Sequence, residues 1–256
     1  MTGVFIICAV AFFASILTFF SGFGLGTILT PVFAVFFPIE IAVSLTAIVH
    51  FLNNIFKLTL VGLPKEKEII IKFGIPSLLF AFLGAFVLVY LSSTLQSEIS
   101  LLSHFVTTPV KIVIGSLILS FIILEALPFI KKITFDKKYL LIGGALSGFF
   151  GGLSGNQGAL RTMFLSKSNL TKEAFISTGI TIACMVDISR LIVYSENYFS
   201  KTVPDNIHLL IPATLSAFVG AFIGSKFLKK VTMGFIQLVV SILLITLSVL
   251  LILGII

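Results

Sequence analysis

Long apolar stretches separated by short polar loops run along the chain, and their lengths predict helices that cross a membrane. Six of them, 41–63, 72–92, 106–130, 172–195, 206–226 and 231–255, are each close to the roughly 20 apolar residues that one crossing needs. Two further stretches are broken by glycine. Residues 3–37 are interrupted at Ser-Gly-Phe-Gly-Leu-Gly (21–26), and residues 139–166 at Gly-Gly-Leu-Ser-Gly (151–155). Each reads as a hairpin of two short helices, because irregular backbone at membrane depth is tolerated where it lines a cavity in the protein. Two full crossings at each place would leave the loops on the same sides, so the sequence keeps both forms open.

The basic residues sort those loops. Lys65, Lys67 and Lys72 flank one loop, Lys131, Lys132, Lys137 and Lys138 fill a second, and Lys226, Lys229 and Lys230 crowd a third. By the bias of lysine toward the cytoplasmic side these three face inward, and the segments 93–105 and 196–205 face outward. The stretch 139–166 must then make an even number of crossings or none, and both termini fall outside. Composition adds a limit: 58% of residues are hydrophobic and 11% charged, which excludes a water-soluble fold. No charge precedes Glu40, so the apolar start belongs with the membrane body rather than with a cleavable signal. Cys8 and Cys184 lie in different apolar segments, and the chain has no CxxC pair; no metal and no cofactor is expected.

A single offset of 133 residues aligns Ser21 with Ser154, Gly22 with Gly155, Glu40 with Glu173, Ser44 with Ser177, Asn54 with Asp187 and Lys57 with Arg190. The expected fold class is therefore an all-α polytopic membrane protein built from two repeats. Residues 1–130 hold the hairpin 3–37 and the spans 41–63, 72–92 and 106–130. Residues 131–256 hold the hairpin 139–166 and the spans 172–195, 206–226 and 231–255. Three crossings are an odd number, so the second repeat is expected upside down relative to the first, as in secondary transporters that bind substrate near the midplane.

Candidate chemistry clusters at the two breaks. Half-helices starting there point free N–H groups and the positive ends of their dipoles into the protein, which suits an anion. The candidate substrate contacts are Gly22, Gly24, Gly26 and Thr27 in the first repeat, and Gly155, Asn156, Gln157, Gly158 and Arg161 in the second. Arg161 and Arg190 are the only arginines among 17 basic residues, and both sit in apolar segments. A guanidinium binds oxyanions with a planar fork of donors; the competing reading of Arg161 is a side chain snorkelling to the cytoplasmic interface. Asp187 and Arg190 are spaced i,i+3 and can pair, one helical turn from the expected external end of their span. Their offset mates Asn54 and Lys57, with mid-span His50, complete the secondary candidates. No nucleophile–base pair or metal cluster is visible, so no enzyme is expected.

These residues resemble the sulfite exporter TauE/SafE family over essentially the whole chain. The resemblance rests on Ser-Gly-Phe-Gly-Leu-Gly followed by Thr27 to Pro31, on Leu153-Ser-Gly-Asn-Gln-Gly-Ala-Leu-Arg161, and on Ser177-Thr-Gly through Asp187-Ile-Ser-Arg190 to Tyr194. It implies a multi-pass protein of a bacterial or archaeal plasma membrane that moves a small sulfur-containing or organic anion, typically outward. Where many members carry a glycine run leading to Pro in both halves, the second half here has Gln157 and Arg161 and no Pro, so sulfite, thiosulfate, sulfonates and carboxylates all stay open as substrates. An uncoupled anion channel or uniporter of the same architecture, and a non-transporting assembly factor, are the alternatives. The expected partners are the anion and the lipid bilayer, with no nucleic acid; a coupling proton and self-association stay open.

Overall fold

The computed structural model describes residues 2–19, 24–95, 97–102, 105–126, 135–166, 168, 170–227 and 233–255. In chain order these form α1 (Thr2–Thr18), α2 (Leu25–Ala34), α3 (Ile39–Val61), α4 (Lys67–Thr94), β1 (Ile99–Leu102), β2 (Phe105–Thr107), α5 (Pro109–Ala126), α6 (Leu140–Ser154), α7 (Gly158–Leu165), α8 (Lys172–Tyr194), α9 (Ser200–Phe227) and α10 (Met233–Ile252). Among the described residues four helical stretches are long and apolar enough to cross a membrane: Ile39–Val61, Lys67–Thr94, Lys172–Phe199 and Thr202–Lys226. The other two expected crossings form the apolar helices α5 and α10, and the end of the first of them, 127–130, lies outside the described residues. The two glycine-broken stretches each hold a pair of short helices, α1 with α2 and α6 with α7.

Two boundaries differ from expectation. Residues 105–107 belong to a small antiparallel hairpin rather than to a helix. Val106 and Thr107 are β-branched and suit extended backbone, and Pro109 starts α5 at the one helical position where a missing N–H costs nothing. The expected external loop at 196–205 is also helical. A π-helical turn over Ser195–Phe199 carries the chain directly from α8 into α9, and Asn197 donates to the Val193 carbonyl at 2.8 Å beside that turn. Asp187 consequently lies near the middle of a continuous Lys172–Phe199 helix, not one turn from its end.

The helices are amphipathic in the sense that suits lipid. On α4, Leu79, Leu83, Phe86 and Tyr90 form an exposed apolar stripe, while Ser77, Ala81, Gly84 and Ala85 are buried on the opposite face. On α9, Ile211, Leu215, Val219 and Phe222 point outward and Ala213, Ala217 and Ala221 inward. Small residues turned inward and large apolar ones outward is the pattern of helices packed in a bilayer, where close backbone approach replaces a hydrophobic driving force.

That approach is closest between α4 and α6. A Cβ placed on Gly144, Gly148 or Gly152 would stand 2.3, 2.1 and 2.1 Å from the carbonyl oxygens of Phe73, Ser77 and Ala81. The Ser77 hydroxyl also donates to the Gly144 carbonyl at 3.0 Å. Gly152, one of the glycines of the second break, therefore serves helix contact. A corresponding contact joins α1 to α9, where a Cβ on Gly220 would reach 2.3 Å from the Phe12 carbonyl. At the centre α3 packs on α8, and α5 lies along α10. Three successive helix pairs begin 133 residues apart: α2 and α7 at 25 and 158, α3 and α8 at 39 and 172, α4 and α9 at 67 and 200.

Gly148→Ala forces its new methyl into the Ser77 carbonyl and should lower stability by about 1–3 kcal/mol. Gly26→Ala, whose nearest neighbour would be the Thr46 methyl at 3.6 Å, should leave the melting temperature in detergent near that of the unmodified protein. Equal melting temperatures for the two variants would contradict this packing.

Candidate functional site

The second glycine break is held by its surroundings. α6 ends at Gly155, whose left-handed φ of 79° lets its N–H close on the Gly151 carbonyl at 2.9 Å. The last carbonyls of a helix have no partner within it and carry the negative end of its dipole. Here two side chains of α8 supply the donors: Arg190 Nη1 donates to the Gly151 carbonyl at 3.1 Å, and the Tyr194 hydroxyl to the Gly152 carbonyl at 2.7 Å. A Cβ on Gly155 would come within 2.8 Å of Arg190 Nη1, so both the turn and the contact call for glycine. The first break faces this one. Gly24 precedes α2 with its missing side chain aimed at His50 Nε2, 3.1 Å from where a Cβ would stand, and a Cβ on Gly26 would lie 3.7 Å from the Gly155 carbonyl. Gly22 lies outside the described residues. The Thr27 N–H bonds the Gly24 carbonyl in the opening turn of α2.

Where α3 meets α8, a buried polar cluster forms. Asp187 accepts a hydrogen bond from His50 Nδ1 at 2.6 Å, and Asn54 Nδ2 lies 3.5 Å from the same carboxylate oxygen. On its own helix Asp187 pairs with Arg190, with Nε to Oδ1 at 3.5 Å. Asp187 and Arg190 are both fully buried, so each charge depends on the other. The i,i+3 pairing read from the sequence is present. His50, a secondary candidate from the sequence, is bound to the Asp187 carboxylate from the other half of the chain.

A cavity of about 40 Å³ opens beside this cluster. His50, Asn54 and Lys57 of α3 line one side, Arg161 of α7 another, and Phe175, Ile176, Gly179, Ile180 and Ala183 of α8 the rest, with Thr18, Phe19, Gly24 and Leu25 closing it from the first hairpin. Arg161 is 8% exposed and Lys57 3%, so neither snorkels to water. Among the described residues Arg161 makes no side-chain hydrogen bond, and its Nη1 is buried without a partner. The Lys57 ammonium sits over the Phe19 ring at 5.6 Å, and among the described residues no carboxylate pairs with it. Gln157 and Asn156 are buried close to the break with the polar atoms of both side-chain amides unsatisfied among the described residues, but they do not line the cavity; nor do Gly155, Gly158, Gly26, Thr27, Asp187 and Arg190. The candidates thus divide into a cavity wall (Gly24, His50, Asn54, Lys57, Arg161) and a layer behind it.

Two buried cations facing one small cavity whose described lining holds no carboxylate suit an anion more than covalent chemistry. The sequence pattern of the family described as Sulfite exporter TauE/SafE matches residues 7–251 of the chain. The chain belongs to that family. TauE/SafE proteins are membrane transporters of the anion or sulfite-exporter type and not enzymes. No curated protein and no solved structure matches the chain. In this TauE/SafE member the sequence had ranked Lys57 only as a mate of Arg190, and it missed Gly179 altogether. A Cβ on Gly179 would lie 3.4 Å from Arg161 Nε. A signal existed: residues 179, 183, 187 and 190 follow the i, i+4, i+8, i+11 rhythm of one helix face.

Asp187→Asn leaves Arg190 buried opposite a neutral side chain and should destabilise this TauE/SafE protein by about 3–5 kcal/mol. Adding Arg190→Gln to Asp187→Asn should recover most of that loss, read as melting temperature in detergent. A double variant no more stable than Asp187→Asn would refute the pairing.

Proposed function

We propose that the protein is a secondary transporter, acting as an exporter, of a small sulfur-containing or organic anion such as sulfite, thiosulfate or a sulfonate. The anion binds between the two glycine breaks, near the membrane midplane, with Arg161 as its principal charged contact. The observation that carries this reading is the buried, unpartnered guanidinium of Arg161 facing Lys57 across one cavity. Gly24, Gly26, Gly155 and Gly158 let the backbone of both hairpins come close, and Asn156 and Gln157 bring further unsatisfied donors and acceptors to the second tip.

In the same reading the two halves are inverted repeats, 1–130 and 131–256, with both termini outside a bacterial or archaeal plasma membrane. Three helix pairs offset by 133 residues support this, as does the approach of the offset mates Asn54 and Asp187 to 3.5 Å. Residues close to a two-fold axis meet their own mates. The contact of α4 with α6 and of α1 with α9 pairs the halves reciprocally. Coupling to a proton belongs to this reading, and His50 stands at the cavity wall. On its own helix His50 faces Asn54, from α8 Asp187 with Arg190 behind it, and from the first hairpin Gly24; Lys57 and Arg161 share its cavity. An uncoupled channel or uniporter of the same architecture is the second reading.

Counterflow in proteoliposomes separates these. Labelled thiosulfate or sulfite should accumulate against internal unlabelled anion, faster with a pH gradient than without. Arg161→Ala should abolish accumulation while the protein still inserts, and Arg161→Lys should restore little, since a point charge does not reproduce the fork. Flux without counterflow would favour the channel, and undiminished counterflow in Arg161→Ala would remove Arg161 from the site.

A further inference from the structure

The cavity also carries information on the charge of what it holds. Among the described residues four charged side chains are buried: Lys57, Arg161, Asp187 and Arg190. Asp187 is already engaged by Arg190 and His50, and the cavity wall contains no Asp or Glu. One carboxylate against three cations leaves this group with two positive charges in excess, and Lys57 and Arg161, one from each half of the chain, are the cations that line the cavity. In a low-dielectric interior an unbalanced charge is costly, and a bound ion of matching charge removes the imbalance.

Resting on the reading of this cavity as the anion site, we infer that it is built for a compact dianion and that Lys57 sets this charge selectivity. A monoanion would leave one buried cation unbalanced, whereas a dianion brings the site to neutrality. The size of the cavity points the same way. Its volume of about 40 Å³ suits an ion with its charge on three or four oxygens around one centre. The two cations divide the work by their geometry: the guanidinium fork of Arg161 suits two oxygens of one face, and the ammonium of Lys57 acts as a point charge on a remaining atom.

Thiosulfate and methanesulfonate make the test direct, because they share the SO₃ group and nearly the same size and differ by one charge. Both are titrated calorimetrically into the full-length protein in detergent at fixed ionic strength and slightly acidic pH, where a buried ammonium keeps its proton and thiosulfate is still a dianion. The unmodified protein should bind thiosulfate about thirtyfold more tightly than methanesulfonate, the factor expected when a buried charge loses its partner. Lys57→Gln should weaken thiosulfate and bring the two affinities together, while Lys57→Arg should keep the preference. Equal affinities in the unmodified protein, or an unchanged ratio in Lys57→Gln, would overturn the assignment of charge class even though the cavity binds anions. If Lys57→Gln does not fold, the ratio in the unmodified protein and in Lys57→Arg decides alone. Absence of binding by either ion would overturn the anion site itself and this inference with it.

Discussion

A carboxylate shut away from solvent must find partners, and Asp187 finds two: a hydrogen bond from the imidazole of His50 at 2.6 Å, from the other half of the chain, and the guanidinium of Arg190 on its own helix. Much of the site follows from that arrangement. Asp187 is bonded to His50 and Arg190 and does not line the cavity, so Lys57 and Arg161 face a wall that holds no carboxylate. Because Arg190 is drawn toward Asp187, its Nη1 is placed to donate to the open end of α6 and hold the second glycine break. A single buried acid thereby joins the two halves, caps a broken helix and leaves the cavity positive.

The packing around it explains why the break sits where it does. α6 is pressed against α4 along Gly144, Gly148 and Gly152 so tightly that a methyl group on any of them would strike a carbonyl. Helices this close are rigid, and in lipid such contact is a main source of cohesion. α6 then stops abruptly at Gly155, three residues before α7 begins, and the short segment between holds Asn156 and Gln157 with side-chain amides that nothing described satisfies. Rigid support directly beside unsatisfied polar groups is the arrangement expected of a preorganised binding place.

The helical segments were legible because each signal was local. Apolar length marked the crossings, and glycine clusters marked the breaks. The offset of 133 aligned Asn54 with Asp187 before either could be seen to touch. What stayed hidden required distance information. Nothing near His50 in sequence identifies Asp187 as its partner, and nothing near Lys57 shows that it faces Arg161. The continuous passage from α8 to α9 was hidden for another reason: the polar run Ser195 to Asp205 has the composition of a loop, yet a π-helical turn keeps it helical. That error also misjudged the depth of Asp187, since the assumed loop placed it near a surface. The family match reaches the transporter class, and the division of labour among Lys57, Arg161 and Asp187 comes from the geometry.

The central claim is that cations from the two halves share one anion. A structure determined in the presence of selenite, a close analogue of sulfite with an anomalous scatterer at its centre, tests it most directly. The account predicts one selenium peak in the cavity, with oxygens within hydrogen-bonding distance of both the Arg161 guanidinium and the Lys57 ammonium, and Asp187 still paired with Arg190. A peak bound elsewhere, or an ion held by Arg190 while Arg161 turns away, would contradict it.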